Sequence, residues 1–133
     1  MNSHQLNGIG WYLFGCRYLG TFALNGVPAK IDKTATLKHF IINTQTSNLP
    51  GQHWVAVTIQ NNTAYIFDSF GNPPKPLLVR QLKDQGITKI YYNKRQIQPY
   101  NTTFCGQLAV KHLLNVDLLG RTRGVSSWKA VLH

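Results

Sequence analysis

The stretch His53-Trp54-Val55-Ala56-Val57-Thr58-Ile59-Gln60-Asn61-Asn62-Thr63-Ala64-Tyr65-Ile66-Phe67-Asp68 decides the fold class. Its first half alternates His53, Val55, Val57 and Ile59 on one face with Trp54, Ala56 and Thr58 on the other, the period-two pattern of a strand. Asn61-Asn62 is a turn pair, because asparagine tolerates the left-handed backbone of tight hairpins. Ala64 to Phe67 returns as the second strand. With Asn61-Asn62 at the tip, Val55 falls opposite Asp68 and His53 opposite Phe70. His53 and Asp68 then share one face as diagonal neighbours, roughly 7–8 Å apart at the backbone. A slip of one residue would send them to opposite faces.

Outward from this hairpin the chain mixes strands with helices. Phe40-Ile41-Ile42-Asn43-Thr44 is a buried-strand candidate, followed by a polar turn that ends at Pro50-Gly51. Downstream, Gly71-Asn72-Pro73-Pro74-Lys75-Pro76 is a loop, since its prolines bar regular structure. Leu77 to Gln85 fits a helix stopped by Gly86, and Ile87 to Tyr92 fits a further strand. From Gln107 to Val116 the sequence is apolar and helical. Leu108, Ala109, Leu113 and Val116 stand at helical spacing and Val110 and Leu114 widen the arc, so a sheet is expected to bury this helix. Residues 1–30 are rich in glycine and aromatics with no clean period, and are expected to be loop with short helical or strand pieces. The tail from Gly120 is short and basic. With no repeat and no linker, the expectation is one α+β domain over residues 1–133.

Hydrophobic residues make up 43% of the sequence and charged residues 14%, which excludes an intrinsically disordered class. The apolar patch Ile9 to Phe14 is short and has no basic segment before it, so neither a membrane span nor a secretory leader is expected and the protein is read as soluble and intracellular. Two cysteines do not make a disulfide framework. Fourteen Lys and Arg oppose four Asp and no Glu, a formal net charge of +10. Such a surplus favours polyanions, nucleic acid above all, although Lys94-Arg95 is the only adjacent basic pair.

The chemistry concentrates at Gln98-Pro99-Tyr100-Asn101-Thr102-Thr103-Phe104-Cys105-Gly106, which runs straight into the apolar helix. A cysteine at a helix N-terminus meets unpaired backbone N–H groups and the positive end of the helix dipole, both of which favour thiolate. Gln98 brings an uncharged amide donor. Cys105, His53, Asp68 and Gln98 together are the parts of thioester-forming acyl transfer: nucleophile, base, orienting acid and oxyanion donor. Singly, each has a plainer reading, as a small core residue, a strand-end histidine, a turn aspartate and a loop glutamine. The joint case rests on chain order, the shared hairpin face and the Gln98-to-Cys105 spacing.

Other reactive residues carry less. Cys16, among aromatics, is expected to pack. His4 and His133 lie at the termini, His112 within the core helix, where it hydrogen-bonds or faces solvent, and His39 ahead of a strand with no partner in view. No Cys/His spacing fits a zinc site, and no glycine-rich loop fits a nucleotide, so no metal or small-molecule cofactor is expected.

In these segments the sequence resembles the adenovirus-type processing cysteine proteases, the adenain family, kin to the SUMO-specific (Ulp1-like) proteases. Gly51-Gln52-His53-Trp54 is similar to the family's histidine motif and Phe67-Asp68-Ser69-Phe70-Gly71 to its acid motif. Gln98 to Gly106, with Asn101 in place, resembles its Gln-to-Cys segment, and Leu19-Gly20-Thr21-Phe22 and Asn43-Thr44 are similar to its N-terminal region. The resemblance spans roughly residues 15 to 115. It implies a papain-like, adenain-like α+β fold whose central mixed sheet packs against the helix carrying the nucleophile.

The resemblance further implies a thiol endopeptidase of a virus or virus-like element. Such an enzyme cleaves capsid and core precursors at glycine-containing sites, acts as a monomer in the virion and host nucleus, and is activated by DNA or a viral peptide. The sequence ends soon after the nucleophile helix and offers no counterpart to the cysteine that pairs with the activating peptide. Two rivals share the fold: an isopeptidase that removes a ubiquitin-like protein, and an inactive basic DNA-binding or capsid protein.

Overall fold

The computed structural model describes residues 1–32, 34, 36–44, 53–97, 104–119 and 128–131. Among them the elements run α1 (Ser3–Phe14), a 3₁₀ turn (Gly15–Arg17), β1 (Tyr18–Ala23), β2 (Lys38–Asn43), β3 (Trp54–Gln60), β4 (Thr63–Phe67), α2 (Pro76–Asp84), β5 (Lys89–Asn93), α3 (Cys105–Leu119) and β6 (Trp128–Ala130). The six strands lie side by side in sequence order. β1 with β2 and β4 with β5 are parallel, and the other neighbours are antiparallel. α2 supplies the crossover that the parallel β4–β5 pair requires.

The hairpin has the register set by an Asn61-Asn62 tip: Gln60 pairs with Thr63, Val57 with Ile66 and Ala56 with Phe67. Asn61 takes φ +55° there. β3 is buried on both faces, which explains its unbroken apolar run. Val55, Val57 and Ile59 meet Ile66 of β4 and Leu78 and Leu82 of α2 on one side. On the other, Trp54 and Ala56 meet Leu6 and Phe14 of α1 and Ala109 and Leu113 of α3. The sheet is thus the middle layer between α2 and the α1–α3 pair.

Two local expectations change, for the N-terminus and for Cys16, and the tail adds a strand. The N-terminus is a twelve-residue helix closed by a reciprocal capping box between Asn2 and Gln5. Its buried stripe is Leu6, Gly10 and Phe14. The glycine in mid-stripe breaks the hydrophobic period, and it is there because a Cβ would fall 2.4 Å from the Tyr18 ring. The basic tail also holds structure: β6 pairs antiparallel with β5, and the Trp128 ring meets Tyr65 edge-on, centroids 5.2 Å apart. Cys16 is exposed rather than packed.

His39 is likewise relocated, and His112 keeps its place in the core helix. His39 lies inside β2, fully buried, between Thr58 Oγ1 and Asp117 Oδ1, each 2.9 Å away. Asp117 also accepts both guanidinium nitrogens of Arg17, so one carboxylate ties α3 to β2 and to the 3₁₀ turn. Burial holds His39 below the usual histidine range against the pull of Asp117. His112 neither hydrogen-bonds through Nε2 nor faces solvent. It is buried and stacked on Phe67 at 4.2 Å, and burial together with the His39 charge pushes its pKa down to about 3. His39 is tied by two hydrogen bonds, whereas His112 packs as a neutral ring.

Candidate active site

The site lies at the end of the sheet where β3 begins and β4 ends. His53 immediately precedes β3, Asp68 immediately follows β4 and Cys105 is the first residue of α3. The hairpin places the first two and the docking of α3 against β3 brings the third. All three are buried, 5%, 6% and 5% exposed, so their charges interact in a poorly screened setting.

His53 Nε2 lies 2.7 Å from Asp68 Oδ1, an N–H donating to a carboxylate. Asp68 therefore occupies one ring nitrogen, and the other, Nδ1, is buried with no hydrogen-bond partner among the described residues. The nearness of Cys105 still registers on both groups. Burial opposes charge on His53, but Asp68 and the neighbouring Cys105 outweigh that cost and its pKa is pushed up to about 9. Burial likewise opposes the Cys105 thiolate, yet the neighbouring His53 and the backbone N–H groups of Trp54 and Gly106 hold the thiol below its ordinary range. A raised imidazole beside a lowered thiol is the signature of a thiolate–imidazolium pair.

The surroundings fix these groups. Phe70 lies flat on the His53 ring, centroids 4.5 Å apart and planes 7° from parallel. The Phe70 N–H donates to Asp68 Oδ1 at 2.8 Å and the Gly71 N–H to the Asp68 carbonyl, a turn that aims the carboxylate back at His53. Gly71 takes φ +74°, and a Cβ there would fall 2.9 Å from the backbone nitrogen of Gln96. On the other flank the His53 N–H donates to Asn43 Oδ1, and the Thr44 N–H to the His53 carbonyl. Trp54 packs over the start of α3: its ring lies 3.2 Å from where a Gly106 Cβ would sit, and its indole N–H donates to the Met1 carbonyl.

Gln98 and Asn101, like Gly51 and Gln52, lie outside the described residues. The residue missed in the sequence is Asn93, fully buried at the end of β5. Its side-chain amide accepts the Asp68 N–H at 2.8 Å and donates to the Asp68 carbonyl at 2.7 Å. The parallel pairing of Ile66 with Tyr92 puts Asn93 beside that junction. No sequence motif marks it; only the order of two parallel strands does. Among the described residues, no group of His, Cys, Asp or Glu forms a metal-binding cluster, and no helix is long and apolar enough to cross a membrane.

The fold is similar to the crystal structure of the ASFV pS273R protease, with a TM-score of 0.64 at 15% sequence identity over 95% of this chain. The α+β class and the mixed central sheet are thus shared with that structure. The chain spans 61% of the length of that protein. No family model matches the sequence and no curated protein matches it.

Proposed function

We propose that this protein is a cysteine endopeptidase of the adenain type, acting on polypeptide precursors of a virus or virus-like element at glycine-containing sites. The observation that carries the reading is the contact of His53 with Asp68 through Nε2 while the same imidazole and Cys105 shift each other toward the charged pair. The fold likeness to a protease supports it. Cys105 Sγ attacks the scissile carbonyl carbon as thiolate. The oxyanion that forms is held by the Cys105 N–H at the start of α3 and by the Gln98 amide. As the C–N bond breaks, its electron pair stays on nitrogen, which takes the proton from His53. Water, deprotonated by His53, then cleaves the thioester. Asp68 keeps the tautomer and stabilises the imidazolium.

Two of the four aspartates are engaged internally, Asp68 with His53 and Asp117 with Arg17 and His39, and the formal net charge is +10. DNA as an activating partner fits that surplus. The deciding experiment is hydrolysis of a Gly-Gly-containing fluorogenic peptide, with and without DNA, by the wild type and by Cys105→Ala. Turnover by the wild type and none by the variant supports the reading; equal turnover refutes it. A companion measurement is iodoacetamide alkylation of Cys105 against Cys16. Modification of Cys105 that stays fast below pH 7 is expected.

A further inference from the structure

Met1, just ahead of α1, reaches across to the neighbours of the nucleophile. Its carbonyl accepts the indole N–H of Trp54 at 2.9 Å. Its side chain lies against Gly106: a Cβ on that glycine would fall 3.3 Å from Met1 Cβ, 3.4 Å from Met1 Sδ and 3.2 Å from Trp54 Cδ1. A methyl group there would force Met1 or Trp54 to yield, so the three residues are already in tight contact over the first turn of α3. Met1 is half-buried and packs against the cluster that holds Leu6, Trp54, Cys105 and Ala109.

The Met1–Asn2 peptide is held on both sides. In a trans peptide the C=O and the N–H point in opposite directions. Here the C=O meets Trp54, and the Asn2 N–H donates to Gln5 Oε1 at 2.9 Å. The Gln5 N–H returns a bond to Asn2 Oδ1 at 2.8 Å, so the capping box ties that peptide to α1. α1 is in turn anchored in the core by Leu6, Gly10 and Phe14. Position thus passes from the core, through the first turn of α1, to Trp54 and Gly106. Those are the two residues whose backbone N–H groups favour the Cys105 thiolate. Trp54 also follows His53 directly in the chain, so a displaced Trp54 takes the imidazole with it.

We infer that Met1 is a positioning residue of the active site: its carbonyl and side chain seat Trp54 and Gly106 so that their backbone N–H groups converge on Cys105 Sγ. The consequence for turnover rests on the protease reading of Cys105, His53 and Asp68, whereas the seating itself is read directly on the thiol.

The test compares wild type, Met1→Gly, Met1→Leu and Gln5→Ala, each produced as the full chain behind a leader whose removal exposes residue 1. Met1→Gly keeps the carbonyl and deletes the side chain, Met1→Leu restores apolar volume, and Gln5→Ala releases the Asn2 N–H with Met1 in place. Alkylation of Cys105 by iodoacetamide is followed against pH, with Cys16 resolved by mass spectrometry, well below each melting temperature. For Met1→Gly the midpoint of the alkylation profile is expected to move up by about 0.5–1 pH unit as the thiolate loses aligned donors. Its kcat is expected to fall about ten-fold with KM within about two-fold. Gln5→Ala shifts the same way by less, and Met1→Leu lies near the wild type.

A purely structural Met1 would lower the melting temperature and leave the alkylation profile in place. Profiles of Met1→Gly and Gln5→Ala that coincide with the wild type therefore overturn the inference, and so does a Met1→Leu protein as impaired as Met1→Gly. Gln5 is exposed, so Gln5→Ala carries the test where Met1→Gly fails to fold. Hydrolysis of a Gly-Gly coumarin amide by the wild type judges the protease reading separately. Shifted profiles with no hydrolysis by the wild type keep the seat and remove the protease reading. Hydrolysis with unshifted profiles removes the seat alone.

Discussion

The side-chain amide of Asn93 holds the backbone of Asp68 at both its N–H and its carbonyl, at 2.8 and 2.7 Å, from a fully buried position. The residue that aims the acid is thus on a different strand from either member of the histidine–aspartate pair.

Asn93→Ala leaves the Asp68 N–H without this partner in a dry environment, while the Asp68 carbonyl keeps the Gly71 N–H. Such a loss costs about 1–3 kcal/mol, so a lower melting temperature is expected, together with a drop in kcat as the Asp68 carboxylate loses its aim. Calorimetry and peptide turnover check both. A variant with wild-type kcat would show that the Asx turn at Phe70 and Gly71 suffices.

The pH dependence follows from the coupled pair. The productive state has Cys105 deprotonated and His53 protonated. With the thiol below its ordinary range and His53 at about 9, kcat/KM rises as pH climbs through the Cys105 transition and falls as pH passes about 9. Asp68→Asn removes the charge that raises His53, so the alkaline limb moves to lower pH and turnover falls by more than about ten-fold. A full pH–rate profile of both proteins tests this, and an unmoved alkaline limb would dissociate Asp68 from the His53 titration.

For Gln98→Ala the expectation is a loss in kcat of about 3–4 kcal/mol of transition-state stabilisation with KM little changed. Steady-state kinetics on the Gly-Gly peptide decide it. An unchanged kcat would take Gln98 out of the oxyanion hole.

Gly10→Ala tests the packing of α1 and leaves the chemistry alone. A Cβ 2.4 Å from the Tyr18 ring forces α1 off β1, a strain of about 1–3 kcal/mol. A lower denaturation midpoint is expected, and a midpoint at the wild-type value would mean that α1 shifts freely.

What the sequence made legible divides along a physical line. The hairpin register was readable because β3 alternates on both faces and Asn61 can take the turn, and from it the adjacency of His53 and Asp68 followed. The start of α3 at Cys105 was readable from the apolar helical run beyond it. Less local features were hidden. α1 escaped because Gly10 interrupts its stripe for a contact with Tyr18, eight residues on. The His39–Asp117–Arg17 cluster joins residues far apart in the sequence, where no periodicity reaches. Asn93 meets Asp68 through a parallel pairing that has no turn to announce it. β6 is three residues long, too short for a period to register.

The strand order has a consequence for a polypeptide still being made. Because neighbours in the sheet are neighbours in sequence, β1 through β5 can assemble as they emerge, with little entropy spent on closing long loops. His53 and Asp68 meet within the hairpin, whereas Cys105 joins only when α3, made later, docks on β3. A partly synthesised protein therefore holds a base and an acid with nothing to activate. On the proposed reading, the pair gains its nucleophile only once α3 has docked.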